Sequence, residues 1–191
     1  SECLVGSEMC IRDRDKILIT GKSGIGKSTL FKSLLNELPL IKGKILVDNQ
    51  LNKRNFLSNF GIVGQDTYIF AESLRFNLTL GKNIPSSQLI KVLKKVKLEY
   101  LANKKHLDTP IGEKGLSLSG GEKRKVEIAR ALLNKKEFLL VDEGLSGLDD
   151  DSRKQVFSLL QSLPQTIIEI EHTMSIEDKQ KFNQVVNLVA K

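Results

Sequence analysis

Gly21-Lys22-Ser23-Gly24-Ile25-Gly26-Lys27-Ser28 fits the pattern G-x-x-x-x-G-K-[ST] in full. It follows the apolar run Lys16-Ile17-Leu18-Ile19-Thr20 and opens a helical stretch, Thr29 to Leu35. That strand–loop–helix context is the one in which the pattern cradles phosphate. Glycines let backbone N–H groups curl round an anion without Cβ clashes. The helix start adds the positive end of its dipole. Lys27 brings a point charge to the terminal phosphates, and the Ser28 hydroxyl is a hard ligand for Mg²⁺. The chemistry expected here is nucleotide binding.

A second cluster ends an apolar strand: Phe138-Leu139-Leu140-Val141-Asp142-Glu143. Ligands of open α/β sheets sit at the carboxyl ends of strands. Asp142 is then placed to hold Mg²⁺ or its waters, and Glu143 to orient and polarise an attacking water. Alone, such a pair reads equally well as a strand turning into solvent; beside a phosphate loop it does not. A third cluster, Leu118-Ser119-Gly120-Gly121-Glu122, has the capping-box pattern S-x-x-E. The cap accounts for Ser119 and Glu122 but not for paired glycines, which weaken a helix start unless backbone must approach something closely. A second anion site fits.

The elements that must position these clusters can be read from periodicity. Strands are expected at 16–20, Gly43 to Val47 (with a turn at Asp48-Asn49), Phe60 to Val63, 138–141, Thr166–Ile170 and Val185–Val189. Helices are expected at Thr29–Leu35, Gly120–Leu133, Ser152–Leu163 and Ile176–Lys181. Leu89, Val92, Leu93 and Val96 mark one helical face after a Pro85-Ser86 start, and Lys94, Lys95 and Lys97 form its solvated back. On the Gly120–Leu133 helix the apolar face is read as Val126, Ala129, Leu132 and Leu133. Strands apolar on both sides, separated by helices, indicate a parallel sheet covered on both faces.

The chain has 191 residues with 40% hydrophobic content, enough for one domain with a sizeable core and an inserted subdomain. No run approaches the ~18 apolar residues of a membrane span. Two cysteines exclude a disulfide-rich scaffold and most cysteine-built zinc sites. The net charge of +7 permits a polyanion partner without choosing one. Residues 1–14 show no clean period, and Glu8 to Arg14 resembles translated sequencing-adapter sequence, so this segment is expected to be non-native.

The clusters together resemble the ATP-binding cassette of ABC proteins, from Lys16 to Lys191. The resemblance takes in the phosphate loop, a glutamine loop at Gln65, the signature Leu118–Glu122, the acidic strand end, Ser146-Gly147-Leu148-Asp149 as the D-loop, and His172 as the switch histidine. It implies an α/β P-loop NTPase fold of RecA-like type, a parallel sheet covered by helices with an inserted helical subdomain. The core would be 15–64 and 119–191 and the subdomain 65–118. It implies ATP and Mg²⁺ as cofactors. ATP would be bound by Gly21, Ser23, Gly24, Gly26, Lys27, Ser28 and Thr29, and by Ser119, Gly120 and Gly121 of a second cassette packed head to tail. Ser28, Gln65 and Asp142 would serve the metal, and Glu143, His172 and Gln65 the hydrolysis.

Two stretches are similar to the exporter branch: Gly64–Phe70 with Ser73–Leu78, and Asp108–Gly115, whose Glu113 would lie at the contact with a transmembrane domain. The implied partners are a second cassette, homo- or heterodimeric, and an exporter's transmembrane domain in the same full-length chain, at the cytoplasmic face of the inner or plasma membrane. No nucleic acid is expected. A soluble ABC ATPase acting on nucleic acid or ribosomes is the alternative; a module that holds ATP without hydrolysis is disfavoured by Glu143 and His172. Three features depart from the family: no adenine-stacking aromatic precedes Phe31, Glu122-Lys123-Arg124-Lys125 replaces a glutamine-containing stretch with a modest expected effect, and both ends look cut.

Overall fold

The computed structural model describes residues 10–40, 42–47, 50–51, 59–112 and 115–189. The expected turn at Asp48-Asn49, the residue Glu113 and the first nine residues lie outside them. In chain order the elements are β1 (Lys16–Gly21), α1 (Lys27–Leu34), β2 (Leu46–Val47), β3 (Gln50–Leu51), β4 (Phe60–Val63), α2 (Leu74–Thr79) and α3 (Ser86–Lys95). A 3₁₀ turn (Glu99–Leu101), α4 (Lys104–Leu107), α5 (Gly120–Leu133), β5 (Phe138–Asp142), α6 (Asp150–Ser162), β6 (Thr166–Ile170), α7 (Ile176–Lys179) and β7 (Gln184–Leu188) follow.

The long apolar runs become one five-stranded sheet in the order β4-β5-β6-β1-β7. β5 pairs with β6, β6 with β1 and β1 with β7, all parallel. The register sets Leu140 beside Ile168 and Ile17 beside Ile168. Ile17, Ile19, Leu140, Ile168 and Ile170 therefore share one sheet face. α1 lays Leu30, Phe31 and Leu34 on that face, with Phe60 and Leu35 completing the cluster. Ile11 and Ile45, partly buried, pack against it.

The described residues group into two compact units. The first takes residues up to Ile62, Lys136–Glu143 and those from Pro164 onward; the second takes Val63–Lys135 and Gly144–Leu163. The second unit contains the whole 65–118 stretch together with α5 and α6. Its centre is α5, which packs against α2, α3 and α6. Being surrounded, α5 does not keep the single face read from its pattern. Val126 and Ala129 are buried as expected, but so are Ile128, Ala131, Arg124, Lys125 and Glu127, while Leu132 and Leu133 are only half-buried. On α3 the expected face holds: Leu89, Val92 and Leu93 are buried, as is Val96 just beyond.

Other boundaries moved slightly. The strand expected from Gly43 begins only at Leu46, because Gly43 has φ 89°, outside the β region. α1 begins at Lys27, two residues early, because Gly26 at φ 102° turns the chain straight into the helix. No described helix is long and apolar enough to cross a membrane.

Candidate functional site

Three neighbouring strands of the sheet, β5, β6 and β1, run parallel and so end on the same edge. β1 delivers the glycine-rich loop, β5 delivers Asp142 and Glu143, and β6 is followed by His172. This is the edge where parallel sheets bind ligands. The first unit thereby brings together Lys27, Ser28, Asp142, Glu143 and His172.

The loop owes its shape to Gly24 at φ 76° and Gly26 at φ 102°. A Cβ at either position would meet nothing within 4 Å, so glycine is needed here for conformation and not for space. Gly26 caps α1 without any side-chain hydrogen bond, and the first turn carries no acidic residue. The N–H groups of that turn are therefore left for an anion. Lys27 is 5% exposed; its ammonium donates to the carbonyls of Gly21 at 2.9 Å and Lys22 at 3.1 Å.

His172 links this lysine to the acidic strand end. Its Nδ1 stands 3.3 Å from Lys27 Nζ, and its Nε2 stands 2.7 Å from Glu143 Oε1. An ammonium can only donate, so Nδ1 accepts and the proton of a neutral ring sits on Nε2, donated to Glu143. Glu143 has φ 51°, a left-handed backbone that a non-glycine residue adopts at a cost of roughly 1–2 kcal/mol. Its N–H is held by the Ile170 carbonyl at 2.9 Å. Such strain, over-determined by its surroundings, is characteristic of functional positions.

Asp142 lies beside Ser28, whose hydroxyl donates to its carboxylate. Burial pushes the Asp142 carboxyl above its ordinary range; the Ser28 bond opposes this, the Glu143 charge adds to it, and Lys27 and His172 oppose it. A carboxylate and a hydroxyl are hard oxygen donors, the set that Mg²⁺ takes from protein beside substrate phosphates. A cation there would also relieve the crowding of Asp142 by Glu143. The residues fit the metal.

Gln65, Ser119, Gly120 and Gly121 belong to the second unit. Ser119 caps α5: its hydroxyl accepts from the Glu122 N–H at 3.2 Å, and Glu122 Oε2 accepts from the Ser119 N–H at 2.8 Å. The capping box is as read. Ser119 and Gly120 are exposed, but Gly121 is buried. A Cβ on Gly121 would run into the Ser152 hydroxyl and lie 2.6 Å from Ser152 Cβ. Close packing of the α5 and α6 starts thus requires the second glycine, a reason that the phosphate reading lacked. Gln65 is exposed on a loop after β4.

The second unit also holds a groove of about 450 Å³, lined among others by Ile69, Phe70, Ala71, Ile111, Leu116 and Leu118. Its walls are fixed locally. The Ile111 N–H donates to the Glu72 carbonyl at 2.9 Å, and the Leu74 N–H to the Thr109 carbonyl at 3.1 Å. Asn77, fully buried, accepts from the Phe70 N–H at 2.8 Å and donates to the carbonyls of Phe70, Glu72 and Ser73.

The family model described as ABC transporter matches residues 4–146, from inside the segment read as non-native to the start of the D-loop. The chain belongs to the ABC transporter family. An export ATP-binding/permease protein of Rickettsia typhi is 37% identical over 166 residues, which is 82% of this chain and 29% of that protein. The lactococcin-A transport/processing ATP-binding protein of Lactococcus lactis is 36% identical over 180 residues, 90% of this chain and 25% of its own length. A bacterial Atm1-family ABC exporter with ATP bound superimposes with a TM-score of 0.77 at 28% identity, covering 94% of this chain and 32% of the exporter chain. The chain thus spans about a quarter to a third of the length of these relatives. It is an ATP-binding domain of the ABC transporter family, of the kind found in exporter-type proteins.

For this ATP-binding domain, sequence reasoning missed several working side chains. Asn77 could have been suspected as an amide inside an apolar helix. Arg124 and Glu127 show an opposite-charge i,i+3 pair, yet the 122–125 stretch that holds Arg124 carries only a modest expected effect and Glu127 lies beyond it. Tyr100, whose hydroxyl donates to Glu122 Oε1 at 2.6 Å, left no signal at all.

Proposed function

We propose that this domain hydrolyses ATP to drive an ABC exporter from the cytoplasmic face of its membrane. The observation that carries the reading is the chain Lys27–His172–Glu143 beside Ser28 and Asp142 at three neighbouring strand ends. The β- and γ-phosphates would lie against Lys27 and the N–H groups at the start of α1, with Gly21, Ser23, Gly24, Gly26 and Thr29 shaping the cradle. Ser28 and Asp142 would hold Mg²⁺, which when bound neutralises phosphate charge; Gln65 is assigned to the metal by the family resemblance alone. Glu143 orients the attacking water and takes its proton as water oxygen bonds to the γ-phosphorus and the bond to the ADP oxygen breaks. As placed here His172 holds Glu143 through Nε2–H; to hold the γ-phosphate, as the family resemblance implies, the ring would redirect that N–H from Glu143 to a phosphate oxygen.

Hydrolysis would need two copies, head to tail. Ser119, Gly120 and Gly121 of one copy would close on the γ-phosphate held by Lys27 of the other; the exposed start of the fourteen-residue α5 supports this. The groove of Ile69, Phe70, Ile111 and Leu116 supports a transmembrane domain as partner, since its apolar lining suits a helix end inserted from the membrane side. In this reading 15–64 and 119–191 form the ATPase core, and 65–118 is the helical subdomain that carries the transport contact.

The test is ATP hydrolysis per chain against chain concentration, beside Glu143→Gln. A rate that rises with concentration and falls at least about a hundredfold in Glu143→Gln, with ATP still bound, is expected. A concentration-independent rate would exclude the paired mechanism, and an active Glu143→Gln would exclude Glu143 as the base.

A further inference from the structure

Among the described residues, the proposed ATP site leaves a buried ion pair unused. Arg124 and Glu127 project from one face of α5, 2.7 Å apart, with side chains 3% and 10% exposed. Charges so deep require several partners each. Both find them in a single segment, residues 64–67. Arg124 donates through Nη1 to the Gly64 carbonyl and through Nη2 to the Gln65 carbonyl at 2.8 Å. Glu127 Oε1 accepts from the Gly64 N–H at 3.2 Å, and Oε2 accepts from the Thr67 hydroxyl at 3.3 Å. Gly64 is thus gripped by both its N–H and its C=O, and the next carbonyl is gripped as well. The planar guanidinium fork is suited to this, because it spans two acceptors in fixed geometry.

We propose that Arg124 and Glu127 are positioning residues for Gln65. The pair clamps the backbone that carries Gln65 onto the helix whose start carries Ser119 and Gly121. The assignment rests on the ATPase reading for what Gln65 does, but the clamp itself is a property of the fold. Its consequence is mechanical. Gln65, which would serve a chain's own ATP, and Ser119, which would serve the partner's, ride on one rigid piece. A shift of either displaces the other, so the two ATP sites of a pair would sense each other through α5.

The test compares the 191-residue chain with Arg124→Gln/Glu127→Gln, which removes both charges together and leaves neither unpaired, Glu127→Gln being isosteric and Arg124→Gln two heavy atoms smaller. Amide exchange at Gly64 and Gln65 should accelerate at least about tenfold while protection along α5 persists. The kcat should fall about tenfold to a hundredfold with KM for ATP within about twofold, because the phosphate loop is untouched and only geometry is lost. Arg124→Lys, which keeps the charge but not the fork, should fall between. Unchanged exchange at Gly64 and Gln65 would overturn the clamp. Faster exchange with unchanged kcat would overturn the positioning role. Should the double variant lose α5 protection, Arg124→Lys decides by the same two readings. A wild-type chain that hydrolyses no ATP counts against the ATPase reading, and exchange alone then decides the clamp.

Discussion

Gly121→Ala separates two reasons for one glycine. The added Cβ would stand 2.6 Å from Ser152 Cβ and closer still to its hydroxyl, where carbon atoms in contact need about 3.5–4.0 Å. The obstacle is the first turn of α6, held by Asp149, whose carboxylate accepts from the Ser152 N–H at 2.9 Å. It cannot swing aside like the tip of a long side chain. The starts of α5 and α6 must separate by about 1 Å, and overpacking of that kind costs about 1–3 kcal/mol. With contact this close the upper end applies, offset by at most about 1 kcal/mol of helix propensity gained on replacing glycine. A net loss of about 2 kcal/mol follows, or roughly 4–8 °C in melting temperature for a chain of this size. Urea unfolding without nucleotide is the assay, run on Gly121→Ala, Ser152→Gly and the double variant. Ser152→Gly alone should cost about 1 kcal/mol. The double variant should be more stable than the sum of the singles predicts by at least about 1 kcal/mol, since removing the Ser152 side chain makes room for the new methyl. Additive losses, or an unimpaired Gly121→Ala, would refute the packing argument. Any ATPase defect at Gly121 could then be assigned to phosphate contact alone.

Two further outcomes concern titration. Burial raises the Asp142 carboxyl above its ordinary value of 3.8, and a raised acid stabilises the fold fully only below that value, the contribution being lost as pH rises through the folded value. Asp142→Asn without ligand should therefore melt no lower than wild type at pH 7 while losing affinity for Mg²⁺ with ATP; a lower melting temperature at pH 7 but not at pH 3 would contradict this. Tyr100 is raised well above its ordinary value of 10.0, by burial first and by its bond to the Glu122 carboxylate second. Tyr100→Phe should then remove ultraviolet tyrosinate amplitude only well above pH 10, whereas amplitude lost near pH 10 would show that the bond to Glu122 does not form in solution.

What could be read in advance follows from how local each signal is. β6 and α5 have the bounds expected of them, because apolar runs and a capping box are written in adjacent residues. The strand–glycine loop–helix of β1 and α1 was legible for the same reason: its glycines and the helix start are adjacent in the sequence. The strand at Gly43 was over-read, since composition cannot show that Gly43 takes a positive φ. The Arg124–Glu127 clamp was invisible in principle. Its acceptors are backbone carbonyls of Gly64 and Gln65, and a carbonyl about sixty positions away has no residue type to announce it. Asn77 left a weak signal, an amide between Phe76 and Leu78, but its partners are main chain and have no residue type either. Charged side chains inside α5 broke the expected stripe because that helix meets neighbours on several sides and buries polar groups where partners await them, backbone for Arg124 and Glu127 and the Gln155 side chain for Lys125.

The tautomer of His172 determines how the Glu143→Gln experiment should be read. With Lys27 ammonium at 3.3 Å, Nδ1 must present its lone pair, and Nε2–H must go to the carboxylate at 2.7 Å. A glutamine at 143 still offers an amide oxygen to that N–H, so the ring, the lysine and the loop keep their partners. What disappears is the negative charge and the capacity to accept a proton. Glu143→Ala differs: it strips the His172 ring of its acceptor as well as removing the proton acceptor, so geometry and chemistry fail together. Loss of hydrolysis in the glutamine variant with ATP binding intact can therefore be assigned to the proton acceptor itself. Loss of both activities in the alanine variant would say nothing about which step Glu143 serves.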